Sequence, residues 1–155
     1  MMRVILAFLA AICVPACVGT AMYLYGQFMV FEPDDPYILI RTRKVLFACL
    51  AISMLHVVVL GIPGFLMLRW RRALSWPSIL LTGFVLGAIP GAILSWPLQC
   101  AGMQASAIHD GVATMIDGVP TLAGWLRYLG GVSVLGAYGV SGAAAFWLVQ
   151  RRAAS

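Results

Sequence analysis

The sequence predicts an all-α membrane protein, a four-helix bundle that crosses the bilayer four times with both ends in the cytoplasm. Composition is the first indication: 63% of its 155 residues are hydrophobic and 10% are charged, whereas about a quarter of a soluble domain is charged. A soluble fold of this length could not keep so much apolar surface from water. Helices in lipid can expose that surface because they satisfy their own backbone hydrogen bonds. The other two indications are four long apolar runs and the positions of the cations.

Four apolar runs are each long enough to span the membrane, since a span needs about 20 mostly apolar residues. The predicted spans cover residues 4–31, 45–68, 78–98 and 129–149, within a single transmembrane domain of residues 1–155. The first run holds no charged residue and is longer than the apolar part of a cleavable signal peptide, typically about 7–15 residues. We therefore expect it to be retained as the first membrane helix.

The cations predict the orientation. Six of the ten lie at the N-terminus, in the second loop and at the C-terminus, which share one side of the membrane in a four-span protein. These six are Arg3, Arg69, Arg71, Arg72, Arg151 and Arg152. Because cytoplasmic loops are enriched in Lys and Arg, they predict an N-in, C-in topology. Arg41, Arg43 and Lys44 fall on the opposite side, together with all five acidic residues.

The ends of the second and fourth spans complete a recognisable pattern. A Pro-Gly step in the second span leads into Leu-Arg-Trp-Arg-Arg at residues 68–72, and the fourth span ends in Phe-Trp-Leu-Val-Gln-Arg-Arg at residues 146–152. With its four spans, the chain resembles the uncharacterised small inner-membrane proteins of proteobacteria. This resemblance covers most of the chain and implies a bacterial inner-membrane location and the topology given above. It implies no particular activity.

Small residues predict that the third and fourth spans contact each other with their backbones close together, as is common between helices in lipid. They recur every four residues on one face of each span. The stripe of the third span is Gly83, Gly87, Gly91 and Ser95, and that of the fourth is Ser133, Ala137, Ser141 and Ala145. Three prolines inside spans, Pro15, Pro63 and Pro90, each remove a backbone hydrogen bond and predict a kink.

Two loop structures are also predicted. Asp35 followed by Pro36 is typical of a helix N-cap with proline at the first helical position, so the second helix is expected to begin near Pro36. Residues 100–117 are expected to form a short amphipathic helix outside the membrane, ended by Gly118 and Pro120.

His56 is the strongly polar, ionisable side chain at the middle of a predicted span, and such groups are functional candidates by default. Tyr138, Cys13 and Cys17 lie at similar depth. One hypothesis is a soft-metal site, because the two thiols are one helical turn apart and could converge with the imidazole. Another is a role for His56 in binding a proton or a ligand. We favour a structural histidine, hydrogen-bonded to Tyr138 or to a carbonyl freed by a proline, with the cysteines packing as small apolar residues.

No cofactor is predicted. A haem would need axial ligands inside the bundle, and the second histidine, His109, lies in the third loop. Cys49 and Cys100 lie at similar depth near the same side of the membrane and are candidates for a disulfide if their helix ends are adjacent.

The favoured function is that of a non-enzymatic membrane protein acting through helix or periplasmic-surface contacts, as an accessory subunit, an assembly factor or an immunity-type protein. Its expected partners are membrane lipids and another membrane or periplasmic protein. Nucleic acid is not expected, because the cations cluster at the ends of apolar runs, where they act as topology signals. The alternative is a small oligomeric transporter or channel with His56 in its pathway. An enzyme is least favoured, since no set of catalytic residues converges.

Overall fold

The structure is a computed structural model that describes residues 2–31 and 35–151. It is mostly helical and has four helices that are long and apolar enough to cross a membrane. These spans cover Met2–Val30, Tyr37–Trp70, Trp76–Gln99 and Leu122–Arg151. The prediction of four apolar helices is therefore confirmed, and the second and fourth spans begin several residues before the predicted apolar runs.

The first, third and fourth spans are built on single helices, α1 (Met2–Val30), α4 (Trp76–Leu94) and α5 (Leu122–Arg151). The second span has three parts in sequence. They are α2 (Tyr37–His56), a π-helical segment (Val57–Gly61) and α3 (Ile62–Trp70).

Pro63 accounts for the π-helical segment. A proline has no N–H, so it cannot bond to the carbonyl one turn back, and its ring clashes there in a regular α-helix. Immediately before it the backbone widens, and the N–H of Ile62 bonds to the carbonyl of Val57, five residues earlier. A wider turn of this kind is a known way for a long helix to absorb a kink.

Asp35 lies at the start of α2, as the sequence predicted. The Tyr37 N–H donates to the Asp35 carboxylate at 2.9 Å, and the helix begins at Tyr37. Arg41 reaches back to the same end, with 3.9 Å between its Nη1 and Asp35 Oδ2. Its guanidinium also lies 5.0 Å from the ring centroid of Phe31. These contacts hold the end of α1 close to the beginning of α2.

The predicted helix over residues 100–117 is wrong. After a 3₁₀ helix (Pro97–Cys100), the loop between α4 and α5 folds into three short antiparallel strands, β1 (Ala107–His109), β2 (Val112–Ile116) and β3 (Val119–Pro120), in the order β1-β2-β3. The chain is therefore helical in its spans but not all-α.

Two Asp-Gly pairs explain these strands. Asp110 and Gly111 have φ values of 50° and 76°, and Asp117 and Gly118 have 47° and 77°. A two-residue turn with both φ values positive matches the twist of an antiparallel strand pair, whereas a right-handed helix needs negative φ throughout. Each pair closes a hairpin, because His109 pairs with Val112 and Ile116 pairs with Val119.

The sheet is fixed to the start of α5. Thr121, just before the helix, donates from its backbone N–H to the Thr114 carbonyl at 3.1 Å and from its hydroxyl to the Ala113 carbonyl at 2.7 Å. A Cβ atom at Gly124 would overlap the carbonyl of Thr114, so glycine allows the strand to lie directly against the helix.

The helices contact one another in a definite sequence: α4 packs along α5, α5 along α1, and α1 along α2. The second span reaches α4 through the π-helical segment and α3. Close approach is greatest between α4 and α5. A Cβ atom at Gly83 would lie 2.7 Å from the Gly139 carbonyl oxygen, and one at Gly87 would lie 2.8 Å from that of Leu135.

The face of α5 that meets these glycines differs from the predicted stripe. The contacts of Gly83, Gly87 and Gly91 are with Leu135, Gly139 and Ala143. On the predicted stripe, Ser133 and Ala137 are exposed, and Ser141 and Ala145 are half-buried. The predicted stripe is offset by two residues from the residues that meet the glycines. Two residues correspond to roughly 200° around a helix, so the predicted stripe lies on the other side of α5. Ser95 on α4 turns back to bond the Gly91 carbonyl of its own helix.

Aromatic clusters lie at both ends of the spans. At one end the rings of Trp76 and Trp147 are 6.0 Å apart. At the other, Trp96, Trp125 and Tyr128 contact one another edge to face at 5.8–5.9 Å between centroids. Tryptophan and tyrosine are enriched where a membrane meets water, so both clusters fit the ends of a membrane-crossing unit.

Candidate functional site

A cavity of about 440 Å³ lies between the helices and is lined by residues of all four spans. Most of its wall is apolar. Five side chains bring polar atoms to it: Cys49, Ser53, His56, Thr82 and Tyr138. The cavity therefore contains two of the four side chains that the sequence indicated as an intramembrane polar site.

The second span supplies three of these side chains from one helix face. Cys49, Ser53 and His56 are spaced four and three residues apart in α2, so they lie one above another along the same side. Thr82 from α4 and Tyr138 from α5 also line the cavity.

His56 hydrogen-bonds the backbone of Leu86 in α4. The acceptor is the Leu86 carbonyl, because an imidazole N–H needs an acceptor and the backbone offers only its oxygen. Pro90 lies four residues after Leu86 and has no N–H to give to this carbonyl. The imidazole of the second span thus replaces the hydrogen bond that the proline removes from the third span.

A second freed carbonyl lies inside α1. Pro15 leaves the carbonyl of Ala11 without its usual helical donor. This oxygen lies 3.0 Å from the position that a Cβ atom would take at Gly142 of α5, so glycine allows the backbone of α5 to lie directly against it. At both Pro15 and Pro90, the freed carbonyl therefore faces another span.

The cysteines divide between two environments. Cys13 and Cys17 are exposed on the surface of α1 and do not line the cavity that contains His56. Cys49 does line it, and its sulfur lies 3.6 Å from the position of a Cβ atom at Gly19. The side chain of Cys100 lies outside what the structure describes, so its pairing with Cys49 stays a prediction.

Tyr138 is held by the first span. Its hydroxyl donates to the sulfur of Met22 at 3.2 Å, and its ring lies beside Gly19. Over residues 2–31 and 35–151, no group of three or more His, Cys, Asp or Glu side chains could hold a metal ion. The polar lining is thus a set of hydrogen-bonding groups from three different helices.

No known family model matches this sequence, and no curated protein or solved structure is significantly similar to it.

A second candidate site is one face of the three-stranded sheet. Ile108 and Ile116 lie on the same side of the sheet. Side chains alternate along β1, so Ala107 and His109 face one side and Ile108 faces the other. Met115 and Val112 pair with Ala107 and His109 across an irregular step in β2, so Ile116, next to Met115, faces the side of Ile108. Val119 pairs with Ile116 and therefore shares that side. Ile108, Ile116 and Val119 form the sheet patch, and their exposed fractions are 74%, 52% and 62%. The patch was not predicted from the sequence, because residues 100–117 were expected to form a helix.

Proposed function

We propose that this chain is a multi-pass inner-membrane protein that acts without catalysis, through contact between its sheet patch and another membrane or periplasmic protein. The sheet patch is the observation that carries the proposal. Ile108, Ile116 and Val119 are β-branched apolar side chains on one side of a sheet that lies between two spans, and all three are exposed. Exposed apolar groups that cluster on a folded surface are typical of interaction sites.

The proposed topology is a four-helix bundle with both termini in the cytoplasm. Arg69 lies in the last turn of α3, and Arg71 and Arg72 lie in the turn before α4. Cytoplasmic loops attract such residues. Arg151 ends α5 on the same side, and Arg152 lies outside the described residues. In this orientation the sheet is periplasmic.

The sheet is suited to binding because it is ordered before a partner arrives. Two hairpin turns set its register, and the bonds from Thr121 to Thr114 and Ala113 fix it to α5. A rigid surface loses less conformational entropy on binding than a mobile loop does. An accessory subunit, an assembly factor and an immunity-type protein would each use such a surface.

Site-specific photocrosslinking in native membranes tests the proposal. A benzophenone amino acid at Ile108 or Val119 should give one discrete adduct, and an Ile108→Glu, Val119→Glu double variant probed from Ile116 should lose it. Leu129 is the control position, because it is exposed on the span itself and should crosslink mainly to lipid. The proposal fails if the sheet positions give no protein adduct, or if Leu129 gives the same one.

The cavity favours a second candidate, a small oligomeric transporter or channel with His56 in its pathway. The supporting observation is that His56 lines a space reached by all four spans. Under this alternative, proteoliposomes would show a pH-dependent flux that is lost in His56→Ala. A His56→Ala variant that loses thermal stability, from a protein with no measurable flux, would count against it.

A further inference from the structure

Two hydroxyls in the cavity lack hydrogen bonds. Among the described residues, neither Ser53 nor Thr82 has a hydrogen-bond partner for its side chain, although a hydroxyl in a helix can bond the carbonyl one turn back. Both side chains line the cavity and are half-buried. Because a polar group in hydrocarbon is costly when it has no partner, these hydroxyls point to a polar guest.

His56 adds an acceptor at the same place. A neutral imidazole has one N–H and one bare nitrogen. The N–H is used by the Leu86 carbonyl, which leaves the other nitrogen as an acceptor. The cavity therefore offers one acceptor and two hydroxyls, the set needed to bind a hydroxyl that donates one hydrogen bond and accepts another.

These groups lie near the middle of the bilayer. In the apolar run from Val45 to Leu68, His56 is 11 residues from one end and 12 from the other, or roughly 17 Å from each at 1.5 Å per residue. A phospholipid keeps its headgroup and ester groups at the membrane surface. A guest that brings a polar group to His56 must therefore be uncharged and soluble in the bilayer core.

The rest of the cavity fits a hydrocarbon body. Away from the polar groups its wall includes the contacting rings of Phe8, Phe65 and Phe146, whose centroids are 5.0–5.7 Å apart. Gly19 and Phe8 both line it and are 11 residues apart on α1, about 16 Å along the helix. The space is therefore elongated, and its 440 Å³ is within the usual range of small-molecule sites, about 300–1,000 Å³.

The bilayer has access to the cavity beside α2. Ile52 lines the cavity, yet 68% of its surface is exposed. This helix packs along α1, and the second span meets α4 through its later part, the π-helical segment and α3. A molecule dissolved in the membrane can thus reach the polar groups from the side, between α2 and α4.

We propose that the cavity binds one uncharged, membrane-soluble alcohol or phenol. Its hydroxyl donates to the bare nitrogen of His56 and accepts from Ser53 or Thr82, and its hydrocarbon body extends toward the phenylalanine cluster. This site is separate from the sheet patch and does not depend on the proposed partner contact.

Photolabelling of the full chain in phosphatidylcholine nanodiscs tests the site. The probe is a long-chain alcohol with a diazirine in its chain and a terminal alkyne, and the matched probe is the same chain without the hydroxyl. The alcohol should label residues of the cavity saturably, and unlabelled alcohol should compete for that labelling. Equal labelling by the two probes, or labelling that does not saturate, would overturn the proposal.

Variants distinguish binding through the hydroxyl contacts from simple filling of the cavity by a hydrocarbon chain. Ser53→Ala combined with Thr82→Val removes both hydroxyls at nearly constant shape and should weaken alcohol binding about threefold to fifteenfold, the effect of one to two membrane hydrogen bonds. Ser53→Leu should block the site. Leu55→Phe is the control, since Leu55 is exposed on the same helix, and should leave binding unchanged. Unchanged binding in the double variant would contradict the proposal, even if the leucine variant fails to fold.

Discussion

His56 already makes a hydrogen bond to the backbone of α4 when no ligand is bound. Its N–H satisfies the Leu86 carbonyl, which Pro90 leaves without a helical donor. Hydrogen bonds between membrane helices contribute about 0.6 kcal/mol on average and up to about 1.7 kcal/mol. A modest hydrogen bond therefore joins the second and third spans at mid-depth. Its contribution to stability depends on Pro90.

The first prediction uses that dependence. His56→Ala should lower the free energy of unfolding by about 0.6–1.7 kcal/mol, because the Leu86 carbonyl loses its donor. In a Pro90→Ala background the loss should be smaller, since residue 90 then donates its own N–H to Leu86. Thermal unfolding of the four proteins in detergent, followed by tryptophan fluorescence, measures this coupling. Equal losses in both backgrounds would show that His56 stabilises the protein in some other way.

The sequence identified His56 and Tyr138 at this site but placed the wrong thiols beside them. Cys49, Ser53 and His56 follow a helical spacing that could have been recognised, because all three lie in one span. Cys13 and Cys17 were chosen by their depth and by their spacing of one helical turn. The rotation of α1 could not be predicted, since it is apolar on every side and has no polar face to indicate which residues point inward.

At the scale of helices, glycine decides how closely α4 and α5 approach. The face of α4 that packs against α5 could be predicted from the sequence, because it carries the regularly spaced small residues Gly83, Gly87 and Gly91. Small residues occur on several faces of α5, including Gly131 and Gly139. Spacing alone could not show which of them meets α4.

The second prediction compares two glycines of α5. A Cβ atom at Gly139 would overlap the Gly83 carbonyl, whereas one at Gly131 would meet nothing within 4 Å. Gly139→Ala should therefore destabilise the protein by about 1–3 kcal/mol through overpacking. Gly131→Ala should be neutral or stabilising by up to about 1 kcal/mol, because alanine restricts the unfolded chain. Unfolding curves of both variants measure the difference, and losses of similar size would contradict the proposed interface.

The three strands were not predicted from the sequence, for a different reason. Asp110-Gly111 and Asp117-Gly118 are strong hairpin signals, and their repetition seven residues apart was visible. The first pair was nevertheless placed inside the helix expected over residues 100–117 and the second at its end. Strands of two to five residues are too short to give a clear alternating pattern in the sequence. Such short strands are held in place by α5, through Thr121 and Gly124, and a tertiary contact of this kind cannot be read from local sequence.

For the whole molecule, lipid makes the number of spans easy to predict and their arrangement hard. Four apolar runs suffice to identify four helices, because a bilayer requires helices of a known length. The same apolar character removes the hydrophobic face that would orient each helix in water. The order of contacts runs instead from α2 through α1 and α5 to α4, and glycines permit the close approaches within it.

The third prediction concerns orientation, which determines the side from which a partner reaches the sheet patch. In a cysteine-free background, Gln104→Cys places a thiol in the loop that carries the sheet, and Leu74→Cys places one in the turn between α3 and α4. Both positions are exposed. Because Arg69, Arg71 and Arg72 favour the cytoplasm, an impermeant maleimide should label intact cells at residue 104, and at residue 74 only after the membrane is permeabilised. The reverse pattern would place the sheet in the cytoplasm and exclude a periplasmic partner.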